Sequence, residues 1–111
     1  GPEELKNIQY FFENKKERKG ELAGLGMLYM FKQNKPVFGI TEVDEKVDIS
    51  ARATKDLVEK GLDLGKLCRE VAKGLKGNGG GHDIAAGATV PKGKLDGFLN
   101  NINEKIGEVL I

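Results

Sequence analysis

Residues 77–90 read GNGGGHDIAAGATV, and the fold turns on whether they are a slack linker or a glycine-rich loop running into a strand. The second half decides it. Ile84, Ala86, Ala88 and Val90 alternate with Ala85, Gly87 and Thr89, so one face reads as core and the other as a shallow surface open to a ligand. Pro91 then stops the run. A linker has no reason to continue into such a pattern. The stretch is a bare loop followed by a strand.

Both neighbours of this strand read as amphipathic helices. DLGKLCREVAKGLKG (63–77) opens on a good N-cap, Asp63, and sets Leu64, Leu67, Cys68, Val71, Ala72 and Leu75 on one stripe. KLDGFLNNINEKIGEVL (94–110) does the same with Leu95, Phe98, Leu99, Ile102, Ile106 and Val109. Upstream, Ile8, Tyr10 and Phe12 recur at period two and predict a strand. The charged run KKERKG (15–20) predicts a solvated loop. ELAGLGMLYMFKQ (21–33) suits a buried helix by its length and Leu/Met content, and PVFGITEV (36–43) and VDISARA (47–53) predict two strands around the turn DEK. The expected order is β-α-β-β-α-β-α: one α/β domain over residues 1–111, with a central mixed β-sheet flanked by helices.

Composition narrows the function classes. The chain has 111 residues, about one domain's worth, and its 18 basic and 17 acidic residues leave a net charge of +1. A nucleic acid would therefore have to be held by a local patch. The single cysteine, Cys68, excludes an internal disulfide framework and fits a reducing compartment. No apolar run approaches the roughly 18 residues of a membrane span, and no secretory pattern is present. A cytoplasmic protein with no membrane partner is expected.

Two places could carry chemistry. On the strand 47–53, Val47, Ile49, Ala51 and Ala53 face one way while Asp48, Ser50 and Arg52 face the other. Ser50 and Arg52 thus set a hydroxyl beside a guanidinium, a pair suited to phosphate oxygens. The same face also reads as an ordinary exposed one, with Arg52 paired to Asp48. Gly79, Gly80 and Gly81 can expose consecutive N–H groups as an anion-binding concavity, and His82 adds a donor that can become cationic. A mobile glycine loop is an equally good reading of those residues alone. One histidine and one cysteine give no metal-ligand spacing, and no carboxylate cluster, nucleophile elbow or Walker-type loop is present. A complete active site within the chain is not expected; catalytic and metal-binding residues are expected to be none.

Taken together, ISARA (49–53), a helix, and GGGHDIAAGATV (79–90) resemble the DHH-associated domain, the C-terminal domain of DHH phosphoesterases, which include RecJ-like single-strand exonucleases and oligoribonucleases. The GGGH-x-x-AAG core matches from Gly79 to Gly87, with S-x-R at the expected distance before it. KPVFGI (35–40) resembles the strand preceding S-x-R, and the Lys/Glu-rich, cysteine-poor style is similar to archaeal RecJ-like proteins. The resemblance implies that Ser50, Arg52, Gly79, Gly80, Gly81 and His82 contact substrate phosphates. It implies a separate N-terminal DHH domain as partner, carrying the Mn2+ or Mg2+ ions and the hydrolase activity. The ligand it implies is single-stranded DNA or RNA, a short oligonucleotide or a nucleotide. A rival expectation is a protein-interaction module of a replication-associated RecJ-like protein. Asp83 stands where many relatives have proline. The related domain of alanyl-tRNA synthetases ranks lower here, because its glycine run ends differently.

Overall fold

The computed structural model describes residues 3–13 and 32–111. Its elements are β1 (Glu3–Glu4), β2 (Gln9–Phe12), β3 (Val37–Val43), β4 (Lys46–Arg52), α1 (Lys55–Glu59), α2 (Leu64–Gly74), β5 (Asn78–Gly81), β6 (Ala85–Pro91) and, after a short 3-10 turn at Lys92–Lys94, α3 (Leu95–Val109). The strands form one sheet in the order β1-β2-β3-β4-β6-β5. β2 runs parallel to β3 and every other neighbouring pair is antiparallel, so the sheet is mixed. This is the expected α/β architecture.

Alternation fixes which face is inner. Val47, Ile49 and Ala51 of β4 and Ala86, Ala88 and Val90 of β6 are buried, whereas Asp48, Ser50, Arg52, Ala85, Gly87 and Thr89 are only partly so. The inner residues meet Leu64, Leu67, Cys68, Val71 and Ala72 of α2 and Phe98, Leu99, Ile102 and Ile106 of α3 in one core. Both helical stripes therefore lie where the 3.6-residue period put them. Val109 departs from its stripe and is 39% exposed, at the last residue of α3.

Several elements were not legible. GNGGGH was expected to be a loop; Asn78–Gly81 is instead an edge strand paired to β6. Glycine has a poor strand propensity, and here pairing and packing override it. The short helix α1, capped by the Thr54 hydroxyl accepting from Leu57 N, and the two-residue β1 were also unforeseen. The helix expected over 21–33 and the loop over 15–20 lie outside the described residues, apart from Lys32 and Gln33, which are not helical. Gln9 belongs to the outer face yet is buried, because its amide donates to the carbonyls of Lys32 and Lys35 and its oxygen accepts from Lys32 N. The segment 32–35 thus covers one end of that face.

Candidate functional site

The outer face of the sheet gathers what the sequence scattered. Register places Gly39, Ser50, Gly87 and Gly80 in one row across β3, β4, β6 and β5. Directly opposed residues share a face, so the Ser50 hydroxyl rises between the bare shelf of Gly87 and Gly80 on one side and Gly39 on the other, which the Phe11 ring and the Glu13 carboxylate cover. A shallow depression of about 300 Å³ lies here, lined by Asp48, Ser50, Asn78, Gly79, Gly80, Gly87 and Thr89 with Ile49 and Ala88. On one side runs a polar row, Asp48, Thr89 and Asn78, in which Thr89 Oγ1 donates to Asp48 Oδ1 at 2.9 Å. On the other side, Arg52 opposes Ala85 and its Nη1 donates to the Ala51 carbonyl at 2.9 Å, which holds the guanidinium against its own strand.

The glycines are bare for two different reasons. A Cβ on Gly79 would lie 2.8 Å from the Cys68 carbonyl and 2.9 Å from that of Gly87, and one on Gly81 2.7 Å from Ala86 Cα. Gly81 also has a φ of 135°, which side chains rarely adopt. These two are emptied by close packing with β6 and, at Gly79, with α2. Gly80 is different. Chain neighbours aside, a Cβ there would meet only the Arg69 guanidinium. Its φ of 156° favours glycine, and the space left by the missing side chain opens on the outer face, not the core.

Backbone direction completes the picture. His82 N donates to the Ala85 carbonyl at 2.8 Å, and the alternation of an antiparallel ladder then turns Gly80 inward to β6. The N–H groups of Gly79 and Gly81 consequently point out along the open edge of β5, as unpaired edge donors do. The helix terminus nearby offers no such donors. Leu64 N and Gly65 N donate to the carbonyls of Asp83 and His82 at 3.0 and 2.9 Å, and Lys66 N donates to the Asp63 carboxylate at 3.1 Å. The first amides of α2 are spent on holding the His82–Asp83 turn. His82 itself is exposed, beside the depression but not lining it.

The structure thus brings Ser50, Gly79 and Gly80 into one depression, with Arg52, Gly81 and His82 at its margins. Sequence reasoning missed Asn78 and Arg69. Asn78 lies inside the quoted stretch, but only the register shows it opposite Thr89. No spacing in the chain relates Arg69 to Gly80. Cys68 is not a candidate nucleophile, since burial pushes its thiol up to about 12. Among the described residues no group of three His, Cys, Asp or Glu could hold a metal ion, and no helix is long and apolar enough to cross a membrane.

The DHHA1 domain family model matches residues 6–108. An uncharacterized protein of Methanocaldococcus jannaschii is 43% identical over 106 residues, covering 96% of this chain and 23% of that protein. The alanine–tRNA ligase of Bacillus pumilus is 46% identical over 67 residues, covering 59% of this chain and 8% of the ligase. The chain spans less than a quarter of the length of either relative. Among solved structures, the C-Ala domain from Aquifex aeolicus alanyl-tRNA synthetase has a TM-score of 0.72 at 22% identity, covering 94% of this chain and 96% of that one. A pGpG-specific phosphodiesterase from Vibrio cholerae has a TM-score of 0.69 at 11% identity, covering 96% and 35%. These two likenesses establish the fold. The low rank given to the alanyl-tRNA synthetase relationship needs correction: it stands beside the phosphoesterase one. His82, which the sequence reading used to separate the two, is exposed and takes no part in the core.

Proposed function

The chain belongs to the DHHA1 domain family, and from that premise we propose that it is the substrate-binding module of a DHH-type phosphoesterase of the RecJ-like exonuclease or oligoribonuclease kind. It holds the phosphate backbone of single-stranded nucleic acid or a short oligonucleotide. One observation supports this above the rest: the outer face is stripped of side chains at Gly87 and Gly80, with the Ser50 hydroxyl in the same row and Arg52 beside it. A phosphate needs several donors at once and close backbone approach, and the shelf offers both. Ser50 donates its hydroxyl, Arg52 a guanidinium, and Gly79 and Gly81 their edge N–H groups, with His82 at the margin. The Asp48 carboxylate repels phosphate and keeps it toward the Arg52 side; it accepts instead from a ligand hydroxyl or base N–H.

Mn2+ or Mg2+ belongs to the catalytic DHH domain of the parent protein, which is this module's partner. The described residues of this chain have no donor set to fit such an ion, so no hydrolytic step is assigned to them. A cytoplasmic setting goes with this reading. The pGpG-specific phosphodiesterase among the structural neighbours favours a ligand as short as a dinucleotide. A second reading, recognition of RNA alongside a tRNA ligase, is favoured by the near-complete coverage of the C-Ala domain.

Fluorescence anisotropy separates these readings. Short labelled DNA and RNA strands, a labelled dinucleotide and a tRNA are titrated from about 50 to 200 mM salt, where phosphate contacts weaken steeply. Salt-sensitive binding of short strands, reduced roughly tenfold in Arg52→Ala by loss of a charge-assisted contact, is expected. Binding of tRNA alone supports the second reading. No binding of any strand at the lowest salt overturns both.

A further inference from the structure

Arg69 reaches the bare position on the outer face from the opposite side of the sheet. It sits on α2, whose Leu67, Cys68 and Val71 pack into the inner core. Yet its Nη2 and Nε lie 3.7 and 3.8 Å from the point where a Cβ of Gly80 would stand. Gly80 shares its row with Gly87 and Ser50, so the Arg69 side chain wraps round the open edge of β5. It is exposed. Among the described residues the ion pairs are lysine–carboxylate ones, including Lys105 with the adjacent Glu70 at 3.9 Å, and Arg69 takes part in none of them. A long side chain is thus laid over a glycine at the mouth of the depression with its fork of donors unspent.

We infer that Arg69 is a second phosphate-binding residue of this face, forking onto a phosphate seated over Gly80 while Arg52 holds another. Neighbouring strands are about 4.8 Å apart, so β4 and β5 lie roughly 10 Å from each other with β6 between them. The two guanidiniums bracket the glycine shelf from its two sides. Two cations approaching the shelf from different elements fit a ligand with at least two phosphates, such as a short oligonucleotide. The inference rests on the reading of this face as a phosphate site and adds to it the second cation and the minimum ligand.

The test uses this chain and a short fluorescein-labelled oligonucleotide, with Arg69→Gln, Arg69→Lys and Arg52→Gln compared over a salt series. Arg69→Gln is expected to weaken binding about tenfold and to flatten the slope of log K against log salt by roughly 0.7, the share of one phosphate on a single strand. Arg69→Lys keeps the charge and should restore most of the slope but only part of the affinity. Thermal midpoints should stay equal, because the side chain is exposed and outside the core. If Arg52→Gln weakens binding while Arg69→Gln changes neither affinity nor slope, this inference is wrong and the face reading stands. A loss of affinity in Arg69→Gln with an unchanged slope also overturns it, since the role is then one of shape. If the unmutated chain binds no strand, the face reading and this inference fall together.

Discussion

Alanine substitution at single glycines separates packing from function. In Gly79→Ala the new Cβ would press on two carbonyl oxygens at 2.8 and 2.9 Å, neither on a side chain that can swing away. At Gly65 the clash is with the Gly81 carbonyl itself. Both substitutions should cost about 1–3 kcal/mol by overpacking, seen as a lower urea midpoint at unchanged slope. Gly80→Ala should behave differently. Its Cβ meets only the end of a flexible arginine, so the cost is confined to the backbone strain of a side chain at a φ of 156° and should be smaller than at Gly79, while oligonucleotide affinity falls several-fold. Equal urea midpoints for Gly79→Ala and Gly80→Ala would contradict this division. Cys68 gives a second residue-scale prediction. Burial lifts its thiol from about 9 to about 12, so the folded state holds a proton that the unfolded chain releases. Its contribution is fully present below about 9 and is lost as pH rises toward 12. A thiol-specific disulfide reagent at neutral pH should label Cys68 only as fast as the chain opens. The alkaline loss of stability should be shallower in Cys68→Ala.

At the scale of elements, α2 supports the site through its first turn as well as through Arg69. Its first turn holds the His82–Asp83 turn through two backbone hydrogen bonds, and Asp63 caps the same turn. Asp63→Ala should therefore cost about 1 kcal/mol of stability. It should also speed hydrogen exchange at the Leu64 and Gly65 amides by roughly fivefold if the turn opens locally with that free energy. A modest weakening of ligand binding should accompany it, because the turn at the end of β5 sets the outward-facing edge. Faster exchange spread evenly over α2 and α3 would show instead that the cap acts on global stability alone.

For the whole molecule, near-neutral charge and a one-sided core divide labour between the two faces of the sheet. The inner face, with α2 and α3, supplies the main core, and the outer face over β4, β6 and β5 is left open for a ligand or partner domain, while its β2–β3 end is buried at Gln9, Val37 and Thr41. The chain by itself should release no nucleotide from DNA or RNA in Mn2+ or Mg2+, since its described residues cannot assemble an ion site that would activate water. Metal-dependent hydrolysis that co-purifies with the chain and is lost on changing one of its own residues would refute this.

Sequence alone determined the elements whose period is strong. α2 and α3 announced themselves by stripes of buried residues at helical spacing, and β4 and β6 by alternation at period two, because each must bury one side against a shared core. The family core from Gly79 to Gly87 and the Ser50/Arg52 pair were legible for the same reason: they sit on or beside such elements. Only tertiary structure decided the rest. Glycine carries no pattern, so nothing in GNGGGH distinguishes a loop from a strand until β6 pairs with it and α2 presses on Gly79. The row Gly39–Ser50–Gly87–Gly80 joins four strands, and its register follows from two hairpins and the long-range antiparallel pairing of β4 with β6, which local sequence does not encode. Arg69 reached Gly80 only because a helix packed on one face of the sheet lies close enough to its open edge for a long side chain to turn the corner.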